Sequence, residues 1–469
     1  MAYPEQLPIV LEGPDVLAQA APRHVLRESY SNEKVRSPPE VANRGFLCWQ
    51  LDRFTVTEAA TTCDVLVIGA GPGGGNAALQ CARRGLSTVL IEDHPKVGTP
   101  VHCGECISEI ACQNLNLDLP DHVISLRVHG IRVIFPDGTE KHLTEEGYVL
   151  EKHLFERWIA DEAITAGASL HLGHKLTSMD RVENGTFAGW MCDGKGDQFP
   201  IHAKIVIDAS GVAAVCSKAV KLDDGKPLNT QGKVVAGMQY EMTDVPSDGY
   251  LDFYIWPKYA EKGYLWMIPK CDGRANVGLV TEDRPRAKKA LDEFIEITHF
   301  KDLEQVLPPW KEKGNPAFGG TIPISGPFEN THFDGLMLVG DAAGFTSPLF
   351  EGGSHLALKS AVYAAQTAAG AIADGDLSAE RLAAYPKMWK DEFPPYDKII
   401  RGKNALFDLT DEEMSLMAGC FPDEMSNMGA SGKAMVGIRL LFRRPGLYFK
   451  RIVPAMLAFG YSRAKYYGW

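Results

Sequence analysis

The 469 residues are enough for two or three domains' worth of core, and 45% hydrophobic with 23% charged is an ordinary globular balance. A formal net charge of -12 argues against nucleic acid as the main partner. Ten cysteines make no disulfide scaffold, no run nears the roughly 18–20 apolar residues that span a bilayer, and the first twenty residues lack the basic start of a signal peptide, so a reduced, cytoplasmic protein is expected.

In chain order, residues 1–60 are mixed and Pro-bearing, and read as an N-terminal extension. CDVLVI, Cys63 to Ile68, is a short apolar run expected to form a buried parallel strand. GAGPGGG follows, then NAALQCARRG, a helix ending at Gly85, then LSTVLIE, a second strand ending in Glu92. Gly69, Gly71 and Gly74 match G-x-G-x-x-G in the strand–loop–helix setting that a dinucleotide needs. Glycines let backbone approach a pyrophosphate at a helix N-terminus, and Glu92, or its neighbour Asp93, can accept from ribose hydroxyls. A glycine turn without a ligand is the plain alternative.

RVHGIRVIFPDGTEKHL predicts a hairpin turning at Asp137-Gly138, and YVLEKHLFERWIADEAITAGA a strand edge entering a long helix. KIVIDASG, 204–211, predicts a strand ending in a small-residue turn. Residues 233–280 are rich in strand signals, and GLMLVGDAAG, 335–344, is a third buried strand before a helix over HLALKSAVYAAQTAAGAIADG. The chain from 381 on is helical in flavour.

Gly340-Asp341, with six residues between the aspartate and Pro348, resembles the second FAD fingerprint of the flavoprotein hydroxylase superfamily. The resemblance implies that Asp341 binds the ribityl chain and that the next helix points its N-terminus at the flavin pyrimidine. Asp208, in DASG, stands where that superfamily carries an intermediate D-G motif, a partial match.

GYLWMIPKCDGRANVGL, Gly263 to Leu279, resembles the signature of geranylgeranyl reductases. Cys103-Gly104-Glu105 is similar to that family's C-G-(D/E) motif facing the flavin. YVLEKHLFERWIA is similar to its Y-x-x-x-R segment, with Lys152 in place of the arginine. SPLFEGGSHLAL, with Gly352 and Gly353, is similar to the stretch ahead of its final FAD helix. The resemblance spans roughly 60–440 and implies an α/β fold. A Rossmann-like FAD-binding domain, 61–232 and 331–380, interleaves with an antiparallel β-sheet catalytic domain, 233–330 joined by part of 120–200, before a C-terminal helical region, 381–469. It implies reduction of C=C bonds in geranylgeranyl chains on a lipid, quinone or pigment precursor, by hydride from reduced FAD plus a proton. Tyr264 and Trp266, two apart on one strand, would share the face lining an apolar tunnel. Cys103 is the first candidate proton donor and Tyr264 the second. The electron donor would be external: ferredoxin, NADPH or a quinol. Alternatives with this fold are a FixC-type electron-transfer flavoprotein–quinone oxidoreductase, a flavin-dependent halogenase and an aromatic hydroxylase.

From Ser431 to Trp469 there are eight Lys or Arg and no Asp or Glu, interleaved with LLF, LYF and IVPAMLAF. Such a tail reads as an interfacial anchor on anionic lipid, placing the protein peripherally on the inner face of the membrane; a helix packed on an acidic face is the alternative. VHCGECIS, Val101 to Ser108, leaves Cys103 and Cys106 open to four readings: half a zinc site, a plain structural pair, a redox pair coupled to the flavin, or a thiol at the flavin face. No second C-x-x-C completes a metal site, and none is expected.

Overall fold

The computed structural model describes residues 61–461 apart from 182–186, 193–194, 223, 231, 427–428 and 444. The proposed extension 1–60 and the last residues of the basic tail lie outside them.

Strand β1 (Thr61–Ile68) leads through the glycine loop into helix α1 (Pro72–Arg83), then β2 (Thr88–Glu92). Strands β3 (Cys106–Ser108) and β4 (Gly130–Ile134) precede helix α2 (Lys152–Thr165) and β5 (Ser169–Leu172). The long β6 (Gln198–Asp208) closes the first half. Then come β7 (Val234–Met242), β8 (Tyr250–Tyr254), β9 (Tyr264–Pro269), β10 (Ala275–Thr281), β11 (Phe318–Pro323) and β12 (Leu336–Leu338). Helices α3 (Ser354–Asp374), α4 (Tyr396–Phe407), α5 (Ala430–Arg443) and α6 (Val453–Tyr461) supply most of the C-terminal third.

One sheet has the parallel order β12-β6-β1-β2-β5, with helices α1 and α3 packed together beside it. Continuous Val, Ile and Leu in β1 and β6 follow from burial on both faces. The second sheet runs β7-β10-β9-β8-β4, with β11 added beside β7. It is antiparallel except where β8 meets β4, and the hairpin turning at Asp137-Gly138 belongs to this sheet. β3 sits in a small third sheet with 147–150.

Every residue of β9 is buried, because the strand is covered twice. Leu265 and Met267 join the core under the amphipathic helix Ala287–Ile297, while Tyr264, Trp266 and Ile268 turn toward the first sheet. Full burial of each such large apolar side chain stabilises the fold by roughly 2 kcal/mol.

Candidate active site

A cavity of roughly 650 Å³ lies between the two sheets. Gly69, Gly71, Glu92 and Asp93 line it together. Helix α1 starts at Gly71 with no side-chain cap, and Pro72 needs no N–H partner, so free backbone N–H groups face the cavity. A Cβ on Gly71 would meet only open space. Gly74 differs: it does not line the cavity, and a Cβ there would overlap the Gly69 carbonyl oxygen. Its role is close helix-on-strand packing, a correction to its expected direct contact. Glu92 accepts from the Ala70 N–H at 2.7 Å and from the His94 N–H at 3.1 Å, which fixes its carboxylate at the rim.

At the middle, Gly340, Asp341, Gly352 and Gly353 line the wall, and α3 begins just beyond them without a side-chain cap. Thr346 donates to Asp341 at 2.7 Å, and burial pushes that carboxyl up. Two uncapped helix starts and two glycine loops on one cavity fit an extended pyrophosphate-bearing cofactor. Asp208 does not line it. Its carboxylate accepts from the Ser210 N–H and hydroxyl and from the Cys216 N–H at 2.6–3.0 Å, tying down the turn 209–216. The expected cofactor contact falls instead to that turn, where Ala209, Ser210 and Gly211 face the cavity.

Lys152 is buried, with Nζ 3.2 Å from Glu156 and 3.3 Å from Ser354 Oγ, on the cavity wall beside Cys103 and Gly104. Cys103 and Cys106 are both free thiols; burial pushes both up. Among the described residues no third ligand group joins them, so nothing favours the zinc half-site. The CGE loop is held by a charge cluster absent from the sequence reading. Lys270 Nζ lies 2.9 Å from Glu105 and 3.0 Å from Glu151, Arg274 reaches Glu151 at 2.7 Å and Glu241 at 3.2 Å, and Asn276 donates to Glu105. Glu105 takes a left-handed φ of 75°. Burial alone would raise Glu151, but Lys270 and Arg274 outweigh it and hold it low.

The far end is aromatic. Tyr264 and Trp266 line it together, 5.8 Å between ring centres, with Phe253 and Phe350 at 5.2 and 5.5 Å from Tyr264. Trp266 Nε1 donates to Gln239 at 3.0 Å, and Gln239 donates to the Cys103 carbonyl at 2.8 Å, so one amide sets both. Phe459 of α6 packs at a tilt against Phe350, ring centres 5.5 Å apart, so the tail backs the aromatic wall.

Residues 64–263 match the model of FAD dependent oxidoreductases, and residues 234–307 that of the geranylgeranyl reductase catalytic domain. The digeranylgeranylglycerophospholipid reductase of Methanocaldococcus jannaschii is 34% identical over 400 residues, 83% of this chain and 98% of the relative. The chain belongs to the geranylgeranyl reductase family. It is an FAD-dependent oxidoreductase. The same-named enzyme of Methanosarcina mazei is 33% identical over 77% of this chain and 88% of its own. A solved geranylgeranyl bacteriochlorophyll reductase-like protein from Thermoplasma acidophilum superposes with a TM-score of 0.73 at 28% identity, covering 83% of this chain and 98% of that one. A flavin-dependent brominase, 18% identical with a TM-score of 0.61, shares the fold.

In this reductase, Gly69, Gly71, Glu92, Asp93, Gly104, Lys152, Gly340, Asp341, Gly352 and Gly353 come together around one space, as do Cys103, Tyr264 and Trp266. Gln239, Lys270, Phe253, Phe350 and Glu351 were not singled out from the sequence. Ile268 had a signal: it continues the period-two face of Tyr264 and Trp266.

Proposed function

We propose that this protein saturates C=C bonds of geranylgeranyl chains carried on a lipid, working peripherally at the inner face of a membrane. The aromatic wall continuous with the flavin cradle carries this reading: a polyprenyl chain needs a long apolar groove with few polar contacts. The names of the relatives support the same substrate class. Reduced FAD, when bound, supplies the hydride. The protein's part is positioning: Tyr264 and Trp266 hold the chain, the Gln239 bridge fixes Trp266 against the Cys103 loop, and the apolar wall with the bound chain excludes water from the reacting carbons. Cys103, kept protonated by burial, shapes the flavin side.

The tail supports a membrane surface. Met435, Ile438, Phe442, Phe449 and Leu457 are exposed beside basic residues, and no helix among the described residues is long and apolar enough to cross a membrane. The electron donor is external: ferredoxin, NADPH or a quinol. The groove also admits a prenylated quinone, which is the competing substrate in the test. Dithionite-reduced protein, kept anaerobic, is mixed with geranylgeranyl lipid or with quinone while flavin absorbance is followed. Reoxidation by the prenyl lipid supports the reading; reoxidation by quinone alone favours a quinone oxidoreductase.

A further inference from the structure

We propose that the carboxyl group of Glu351 is the acid that protonates the prenyl double bond, with Lys403 as the cation that receives the negative charge left behind. The inference deepens the reductase reading and rests on it.

Glu351 lies between Phe350 and Gly352 in the loop before α3, on the cavity wall. Its side chain is 4% exposed, as is that of Lys403 on α4, and Lys403 Nζ binds Oε1 at 3.0 Å. Oε2 is buried and has no hydrogen-bond partner among the described residues. The nearby Tyr264 hydroxyl donates to the Phe350 carbonyl at 2.8 Å and, from beside Glu351, also favours its carboxylate to a lesser degree than Lys403. A carboxylate with one bare oxygen against Phe350 and Tyr264 is costly; a neutral carboxylic acid there costs much less. The residue also holds a left-handed φ of 51°, a conformation that favours glycine and is kept by other residues mostly at working sites.

A purely structural Glu–Lys pair would satisfy both oxygens and stay ionised at neutral pH. Here burial raises the group to about 7, against the pull of Lys403 and, more weakly, of Tyr264. Cys103 and Tyr264 are both pushed up from already higher starting points, so they are weaker acids than Glu351. A general acid works best when its pKa lies near the working pH.

In the step, the π bond of the alkene breaks. One carbon takes the hydride, and the other takes the proton from Glu351 Oε2. Two C–H bonds form, and the Glu351 carboxylate remains paired with Lys403. Two protons from solvent, one returned to Glu351 and one taken up with the two electrons from the external donor, restore the starting state.

The test uses the full FAD-loaded chain and three variants, Glu351→Gln, Glu351→Asp and Lys403→Met. Charged or titratable groups facing Glu351 are Lys403, Tyr264 and Glu282, so the pH response is assigned by variant rather than by midpoint alone. Infrared titration, without substrate, should show a protonated-carboxyl band disappearing near neutral pH. The band should be missing in Glu351→Gln and persist to higher pH in Lys403→Met, since the lysine is what lowers it. In anaerobic single turnover with geranylgeranyl lipid, Glu351→Gln should slow reduction about 100-fold or more with FAD still bound, Glu351→Asp should recover part of it, and the alkaline limb should move up in Lys403→Met. Absence of the band, or Glu351→Gln within about threefold of wild type, overturns the proposal. Wild-type protein that reduces no prenyl lipid defeats the reductase reading itself.

Discussion

Gly74 sets how closely α1 lies on β1, because any side chain there would overlap the Gly69 carbonyl oxygen. Gly74→Ala should cost about 3 kcal/mol through forced backbone movement and release FAD on gel filtration. Unchanged flavin content and melting temperature would show the loop to be slack. Glu351 makes a separate prediction about stability. Its folded value of about 7 exceeds the ordinary 4.5, so between those pH values the native state holds a proton that the unfolded chain has released. That contribution to stability is present below pH 4.5, falls as pH rises toward 7, and is gone above it. Glu351→Gln removes the slope. The gap between variant and wild type should therefore move in the variant's favour by on the order of 3 kcal/mol across that window, read by thermal melts; parallel curves would contradict it. At this scale the sequence revealed only what is local. Gly69, Gly71 and Cys103-Gly104 are contiguous spacings. The Gln239 bridge to Cys103 and the Lys270 contact with Glu105 join residues 136 and 165 positions apart, with no local pattern to mark them.

The strand–loop–helix–strand unit from Thr61 to Glu92 was legible because a buried parallel strand is a continuous apolar run and the glycines punctuate it. Strand β9 was legible as an apolar run within the family signature, and the period of two put Tyr264 and Trp266 on one face. Helices α4 and α6 were seen only as helical in character, since their contact depends on Gly402, where a Cβ would overlap Ala458 and the Pro454 carbonyl. That contact brings Phe459 onto Phe350, and Lys403, the next residue on α4, onto Glu351. On the other side, Phe442 and Phe449 are 83% and 71% exposed. Exchanging both for Asp should lower partitioning onto anionic vesicles at least about tenfold while leaving FAD bound, and wild-type binding should weaken as salt rises. Vesicle binding that ignores both the exchange and the salt would remove the membrane role of the tail.

Charge is divided unevenly over the whole molecule. The tail from Ser431 carries eight basic and no acidic residues, leaving 48 - 8 = 40 basic against 60 acidic elsewhere. An acidic body with a basic, apolar-studded tail would be repelled by an anionic surface everywhere except at that tail, and so would orient on it. The interleaving of the two sheets, with part of 120–200 in the second, was what the family resemblance implied; which strand the 130–143 hairpin joins was not legible, because pairing of β4 with β8 is a long-range choice. The central claim is that the cavity between these sheets reduces prenyl double bonds. It is tested most directly by the mass of a geranylgeranyl lipid recovered after anaerobic incubation with excess dithionite-reduced protein. The account predicts gains of about 2 Da for each bond reduced, one hydride plus one proton, in step with flavin reoxidation. An unchanged lipid mass, with flavin that reoxidises only when a quinone is added, would contradict it.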